Sequence, residues 1–405
     1  MENQFITYQK AREIIASNLM QIENISVPIQ QASGSVLAEN FIADRDFPPF
    51  DRVTMDGIAV NFKAYAEGVR IFPISSINPA GIPQQKLNDP ITCIEIMTGA
   101  MLPINTDTII PYEHFSIIDN NAVLQKFNVI EKQNIHFKGS DIKKGTIMIP
   151  AGKVLSSAEI NVAASIGKSN IVVKKLPTAA IISTGDELVD VHEQPSDHQI
   201  RRSNVYGIQN TLKSWGISSV LNHIIDDKEA LKTKIKKLLN EYDFLIITGG
   251  VSKGKFDFLP NVFLSIGVSK HFYKIQQRPG KPFWFGTSKN NKRVFALPGN
   301  PVSSFVCLYV YVKYWIIKSL NQQEEKVYVE LNKTVTFAPN LIYFLEAKIE
   351  SSITGKLIAH PIKGNGSGDF ANLTNADGFL VLPQNQSEFQ KGKCFPFIFY
   401  RNISL

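Results

Sequence analysis

With 405 residues, the chain is too long for one ordinary hydrophobic core, and two to four domains are expected. Its 44% hydrophobic and 20% charged content excludes a disordered chain, and no apolar run approaches the ~20 residues that span a bilayer. The net charge of +7 lies on scattered lysines without a nucleic-acid reader motif, so an anionic small molecule is a better partner than nucleic acid.

In chain order, MENQFITYQKAREII lacks the apolar stretch of a secretion signal. Cys93, Cys307 and Cys394 are too far apart for a disulfide framework or a thiolate zinc site, so a reduced, cytoplasmic setting is expected. Thr7 can cap a helix that aligns Ala11, Ile14, Ile15 and Leu19. Residues 25–42 read as short extended pieces around Gly34. In FPPFDRVTMDGIAV (47–60), two prolines enforce an extended approach and Asp56-Gly57 turns into a strand. Short β-like runs continue to about residue 150, as in a small β domain. They include a shaped loop at Thr98-Gly99-Ala100 and the segment Lys138–Ile142, which carries Asp141. A helix follows, with Ser156 or Ser157 as its cap and Gly167 as its stop.

Residues 178–320 alternate strands and helices, the pattern of a parallel α/β sheet. Strands are expected at 179–183, 218–225 and 244–248, and helices at 204–215 and 228–241. VFALPGNP (294–301) leads into a long apolar helix ending near Leu320. Glu187, Asp226, the loop after 248 and Pro298-Gly299-Asn300 each follow a strand, so they meet at the carboxyl edge where ligands bind. One acid there is as readily a helix cap; several beside glycine loops suit a magnesium ion bridging to phosphate.

The stretch DFLIITGGVSKGKFD (243–257) is a buried strand, a loop with Gly249, Gly250 and Gly254, and Asp257 where a helix would begin. Such a loop can cradle a phosphate or be only a tight turn. It is near a P-loop, but Phe256 stands where a hydroxyl should meet magnesium. Downstream, Lys274, Arg278 and Lys281 flank the Pro279-Gly280 turn with donors suited to oxyanions. Beyond about 327 short strands recur, as in a β-barrel or sandwich of some 75 residues, with Ser367 in a flexible loop at 364–378.

As a set, these segments resemble one family. FDRVTMDGIAV is similar to the FDxSxMDGYA signature of the molybdopterin molybdenumtransferases, relatives of the C-terminal domain of eukaryotic gephyrin. IMTGAMLPINTDTIIPYE, STGDELV, QIRRSNVYGI, ITGGVSKGKFD, RPGKPFWFG and LPGNPVSS follow in the family's order. The resemblance implies an elongated homodimer of multidomain subunits. Residues 1–46 with 147–176 would form a linking domain, 47–146 an inserted β domain, 177–326 a molybdopterin-binding α/β domain and 327–405 a C-terminal β-barrel. The α/β domain would be the type shared with molybdopterin adenylyltransferases, and an adenylyltransferase is a conceivable pathway partner. The active cleft would lie between the α/β domain and the partner chain's small β domain.

The implied reaction takes adenylylated molybdopterin and molybdate, releases AMP and leaves molybdenum on the dithiolene, assisted by Mg²⁺. Asp56, Thr98, Asp141, Glu187, Asp226, Asp257, Lys274 and Arg278 match catalytic cleft positions. Glu187, Asp226 and Asp257 would hold the metal. Gly249, Gly250, Ser252, Gly254, Lys281, Pro298, Gly299, Asn300, Ser303 and Ser367 would contact the pterin, adenylate or oxyanion. The chain departs from the pattern at Arg52 and Val53, where a small polar pair is usual, and at Glu346, where an arginine is usual. Lys348, two residues on, is expected on the same strand face and would offset that carboxylate. Two rival functions share most of these features: adenylylation of molybdopterin from ATP, and a catalytically reduced binding or scaffolding role.

Overall fold

In the computed structural model, residues 5–250 and 258–401 are described, so Ser252, Gly254 and Asp257 lie outside the described residues. The chain divides into two compact units, Met1–Asn24 with Lys174–Leu405, and Ile25–Val173. Residues 5–24 pack within the larger unit. Helix α1 (Tyr8–Ala16), capped by Thr7, buries Ala11 and Ile15 and sets Tyr8 against Tyr311 and Phe344. Arg293, only 2% exposed, donates to the backbone carbonyls of Asn18 and Leu19, while Trp315 Nε1 donates to that of Asn18 at 3.1 Å. A buried guanidinium needs such acceptors, and the chain end after α1 supplies them.

The unit Ile25–Val173 contains β1 (Arg52–Val53), β2 (Gly57–Val60), β3 (Ile71–Asn78), β4 (Cys93–Ile96), β5 (Thr108–Pro111), β6 (Phe115–Ile118), β7 (Asn121–Leu124) and β8 (Ile135–His136). Strands β2 to β7 form one sheet in the order β5-β2-β4-β3-β7-β6. Only glycine fits at 57, where a Cβ would collide with the Ile110 carbonyl on β5. Ile58, Val60, Phe72 and Ile110 fill the core on one side. Helix α2 (Ser157–Ser165) begins with a full capping box between Ser156 and Glu159.

The larger unit holds a six-stranded sheet. Its elements are β9 (Ala179–Thr184), α3 (Asn204–Ser214), β10 (Ser219–Ile224), α4 (Lys228–Glu241), β11 (Phe244–Thr248), α5 (Leu259–Ser265), β12 (Val268–Lys274), β13 (Gln277–Arg278), β14 (Pro282–Ser288) and β15 (Arg293–Leu297). The order is β10-β9-β11-β15-β14-β12, with the first four parallel and β14 antiparallel to both β15 and β12. The departure from an all-parallel sheet has a local cause: the short turn at Asn291 (φ 59°) joins β14 to β15 and leaves no room for a crossover. Every residue of β9, β11 and β15 is buried, as expected for strands covered on both faces. Ala180, Ile182, Leu245 and Ile247 pack on Leu231, Ile235 and Leu238 of α4 and Val262 and Phe263 of α5.

After β15, helix α6 (Pro301–Cys307) passes through a π-helical turn, Leu308–Val312, into α7 (Lys313–Ser319). The strands of the C-terminal sheet are β16 (Val327–Leu331), β17 (Ile342–Ser351), β18 (Leu357–Pro361), β19 (Gly378–Leu382) and β20 (Cys394–Phe399). They run β17-β18-β16-β20-β19, and β19 pairs back to β17, which closes a five-stranded barrel without free edges. Strand β13 adds to the barrel beside β17 and so ties the Arg278 turn to it.

Candidate active site

The parallel strands end together, and the expected loops follow them. Gly249 (φ 92°) and Gly250 (φ 63°) leave β11 in the left-handed region, which glycine adopts without steric cost. A Cβ on Gly249 would lie 2.7 Å from the Thr184 carbonyl, and one on Gly250 would lie 2.9 Å from Thr184 Oγ1. The backbone therefore passes close over the end of β9. Thr184 Oγ1 is buried without a hydrogen-bond partner among the described residues. Around this loop is a cavity of about 270 Å³ bordered by Thr184, Glu187, Arg201, Asn204, Gly249 and Asn300. Asn204 Nδ2 donates to the Gly299 carbonyl at 2.7 Å and holds the Pro298-Gly299-Asn300 turn against α3.

Behind that wall, Arg202 pairs with Asp190, and Tyr206 donates to Asp190 at 2.8 Å. The tyrosine hydrogen bond, then the Val191 amide and Arg202, hold the Asp190 carboxyl down at about 2. Asp226 follows β10, and its amide donates to Asp186 Oδ1 at 3.0 Å. Thus Asp186, rather than Glu187, ties the two loops together. The helix cap is the next residue, Asp227, whose side chain accepts from the Ala230 amide. Among the described residues no three His, Cys, Asp or Glu side chains gather as a metal cluster. Glu187 and Asp226 offer hard oxygen donors of the kind Mg²⁺ takes, and the third expected carboxylate, Asp257, lies outside the described residues.

A second cavity, about 310 Å³, lies where the α/β region meets the barrel. Arg278, Lys281, Asn300, Ser303, Glu346 and Ser367 are on its wall. Asn300 borders both cavities. Its Nδ2 donates to Ser367 Oγ at 2.8 Å, and the Val302 amide donates to the Ser367 carbonyl at 3.1 Å. The loop expected to be flexible is therefore fastened to the start of α6. The Arg278–Lys281 turn is fixed from below by Gln277, a residue sequence reasoning passed over. Gln277 Nε2 donates to the Pro279 and Gly280 carbonyls at 3.0 and 3.1 Å, and Tyr311 donates to Gln277 Oε1.

Lys274 ends β12, with its ammonium 5.4 Å from the Phe5 ring that also faces Lys281 at 4.6 Å. The two lysines therefore share one aromatic ring as a neighbour. Glu346 is 8% exposed. Burial lifts its carboxyl above the usual range, and the charge of Asp369 pushes the same way. Lys348 does not offset it: that side chain is exposed, across from His360, and is not on the cavity wall. Phe344 to Ala347 on β17 are all buried, and beyond Ala347 the strand runs out of the barrel core. The cations that do face the cavity are Arg278 and Lys281.

The unit Ile25–Val173 carries its own constellation. Asp56 Oδ1 accepts from both the Thr98 amide and Thr98 Oγ1 at 2.6 Å. These bonds, the hydroxyl first, hold the exposed Asp56 carboxyl below the usual range. Asp141 accepts from His136 Nε2 at 2.7 Å, and Arg52 Nη2 lies 3.2 Å from His136 Nδ1. Arginine can only donate, so Nδ1 accepts and Nε2 carries the proton. Arg52 thus orders a His136–Asp141 pair, while Val53 is fully buried. His136 escaped the sequence reading because the β1–β8 pairing that brings it to Arg52 joins residues far apart in the chain.

Comparison with known proteins agrees with this architecture. Residues 6–167 match the MoeA N-terminal region (domain I and II), 180–318 the probable molybdopterin binding domain, and 328–400 the MoeA C-terminal region (domain IV). A molybdopterin molybdenumtransferase of Synechocystis is 41% identical over 395 residues, covering 97% of this chain and 99% of the relative. That of Bacillus subtilis is 29% identical over 384 residues, covering 91% and 87%. The solved molybdopterin biosynthesis moeA protein from Pyrococcus horikosii superposes with a TM-score of 0.84 at 27% identity, covering 98% of this chain and 100% of that one. The chain belongs to the molybdopterin molybdenumtransferase family.

Proposed function

We propose that this chain inserts molybdenum from molybdate into adenylylated molybdopterin and releases AMP, a step of molybdenum cofactor biosynthesis. The supporting observation is the shared wall at Asn300: a glycine-lined cavity at the strand ends adjoins a cation-lined cavity at the barrel. A ligand with a phosphoanhydride and a neighbouring oxyanion matches that pair. Gly249, Gly250 and Gly299 would hold the pterin phosphate and adenylate through backbone amides, with Ser252 and Gly254 assigned to the same ligand. Lys274, Arg278 and Lys281 would stabilise charge developing on the cleaved phosphoryl group and hold molybdate, with Ser367 and Ser303 as hydroxyl donors. Glu187, Asp226 and Asp257 would hold Mg²⁺, which when bound would draw charge off the phosphoanhydride oxygens. For Asp56, Thr98 and Asp141, the proposed role is to orient substrate and water within a homodimer.

The division at 46, 146, 176 and 326 and the cytoplasmic setting belong to the same proposal. The test is to incubate purified protein with adenylylated molybdopterin, Mg²⁺ and molybdate and quantify AMP. Molybdate-dependent AMP release is expected, and its absence refutes the reading. Glu346, a carboxylate on the oxyanion cavity's wall, favours one second reading, a binding relative with reduced turnover. That reading predicts adenylate binding without molybdate binding.

A further inference from the structure

We propose that Glu346 makes oxyanion binding in the second cavity proton-coupled: it takes a proton from solvent as a tetrahedral dianion enters, and donates that O–H to one anion oxygen. The inference rests on the oxyanion reading of this cavity. Glu346 is 8% exposed on β17 and borders the cavity. Among the described residues it has no ion pair and no side-chain hydrogen-bond partner, although Arg278 and Lys281 border the same space.

The groups facing it do not favour ionisation. Its own backbone amide helps the carboxylate, but burial and Asp369, on the Ser367 loop, act against it. Tyr343 on the same strand and Tyr400 beyond β20 are phenols that burial first, and then the Glu346 charge, hold in the neutral form, so neither offers it a countercharge. On the adjacent strand β19, the residue opposite is Phe379. Arg401 and Asp377 act on Tyr400 with opposite signs.

An unpaired buried carboxylate is costly, and an entering dianion raises that cost by direct repulsion. Protonation removes both penalties. Arg278 and Lys281 are then two positive charges for a doubly negative ligand, and the carboxyl becomes a donor where it could only accept. The balance is simple: one proton joins a Glu346 oxygen, one hydrogen bond forms to the anion, and nothing leaves. With ionised Glu346 as the starting state, affinity falls as pH rises, by up to tenfold per unit.

The test is calorimetric titration of the full chain with molybdate, and separately with sulfate, from pH 6.5 to 9.5 in buffers of different ionisation enthalpy. Wild type should take up as much as one proton per anion at the high end and lose affinity with pH. Glu346→Gln, which keeps shape and a donor, should bind with no uptake and a flat pH profile. Zero uptake by wild type, an equal slope in both proteins, or binding by the variant alone overturns the inference. Because the uptake is measured on wild type, a variant that fails to fold does not shield it. If neither protein binds either anion, the oxyanion reading itself falls and the inference with it.

Discussion

The two adjoining cavities are built from different materials. The one at the strand ends is largely backbone: glycines at positive φ, strand termini and the Asn204-held turn. The one at the barrel is largely side chain, with the Arg278–Lys281 turn, Glu346 and Ser367 arriving from separate segments. A backbone cavity is lost by adding volume, whereas a side-chain cavity is lost or retuned by changing charge. Substitutions that separate these two sensitivities therefore test the division.

The largest effect is expected from Gly249→Ala. Its φ of 92° and the 2.7 Å approach to the Thr184 carbonyl force the loop to move. AMP release should fall about a hundredfold, roughly 3 kcal/mol of transition-state stabilisation, with molybdate affinity unchanged. Lys281→Ala should do the reverse. Molybdate affinity should drop about tenfold in equilibrium binding, roughly 1.4 kcal/mol, and adenylate affinity should hold.

Glu346→Gln should raise stability at neutral pH. The native carboxyl titrates above its unfolded value, so the contribution of its neutral form is complete below the ordinary carboxylate range. It is lost as pH rises through the raised native value. Urea unfolding should show the variant's advantage growing across that window and vanishing below it; an advantage independent of pH would contradict the assignment. Ser367→Ala removes the 2.8 Å acceptor of Asn300, and a cost of ~1 kcal/mol, or about fivefold in turnover, is expected. Smallest for function is Asp227→Ala. It uncaps α4 and should cost ~1 kcal/mol of stability in thermal unfolding while leaving AMP release intact.

Much of the backbone cavity was legible in the sequence because its parts are local. A buried strand, a glycine and a following helix lie within one short window, and the 228–241 and 244–248 elements occur where periodicity placed them. The barrel cavity was harder to read. Gln277 meets Tyr311 and Asn300 meets Ser367 only through folding, and nothing near those positions in sequence announces either contact. Lys348 was misread because strand alternation sets a side chain's face but not how deeply its position is buried. Buried Arg293 likewise takes carbonyl acceptors from the segment after the N-terminal helix, a contact that nothing near either position in sequence announces. The antiparallel edge followed from a turn whose length outweighs the α/β alternation around it.

The central claim is that the two cavities serve one reaction across Asn300. It is tested most directly by measuring molybdate affinity with and without saturating adenylylated molybdopterin, in chelator so that turnover is held off. A coupling of severalfold is predicted in wild type, reciprocal in the pterin's own affinity and abolished in Asn300→Ala. Equal molybdate affinity in wild type with and without the pterin would contradict it.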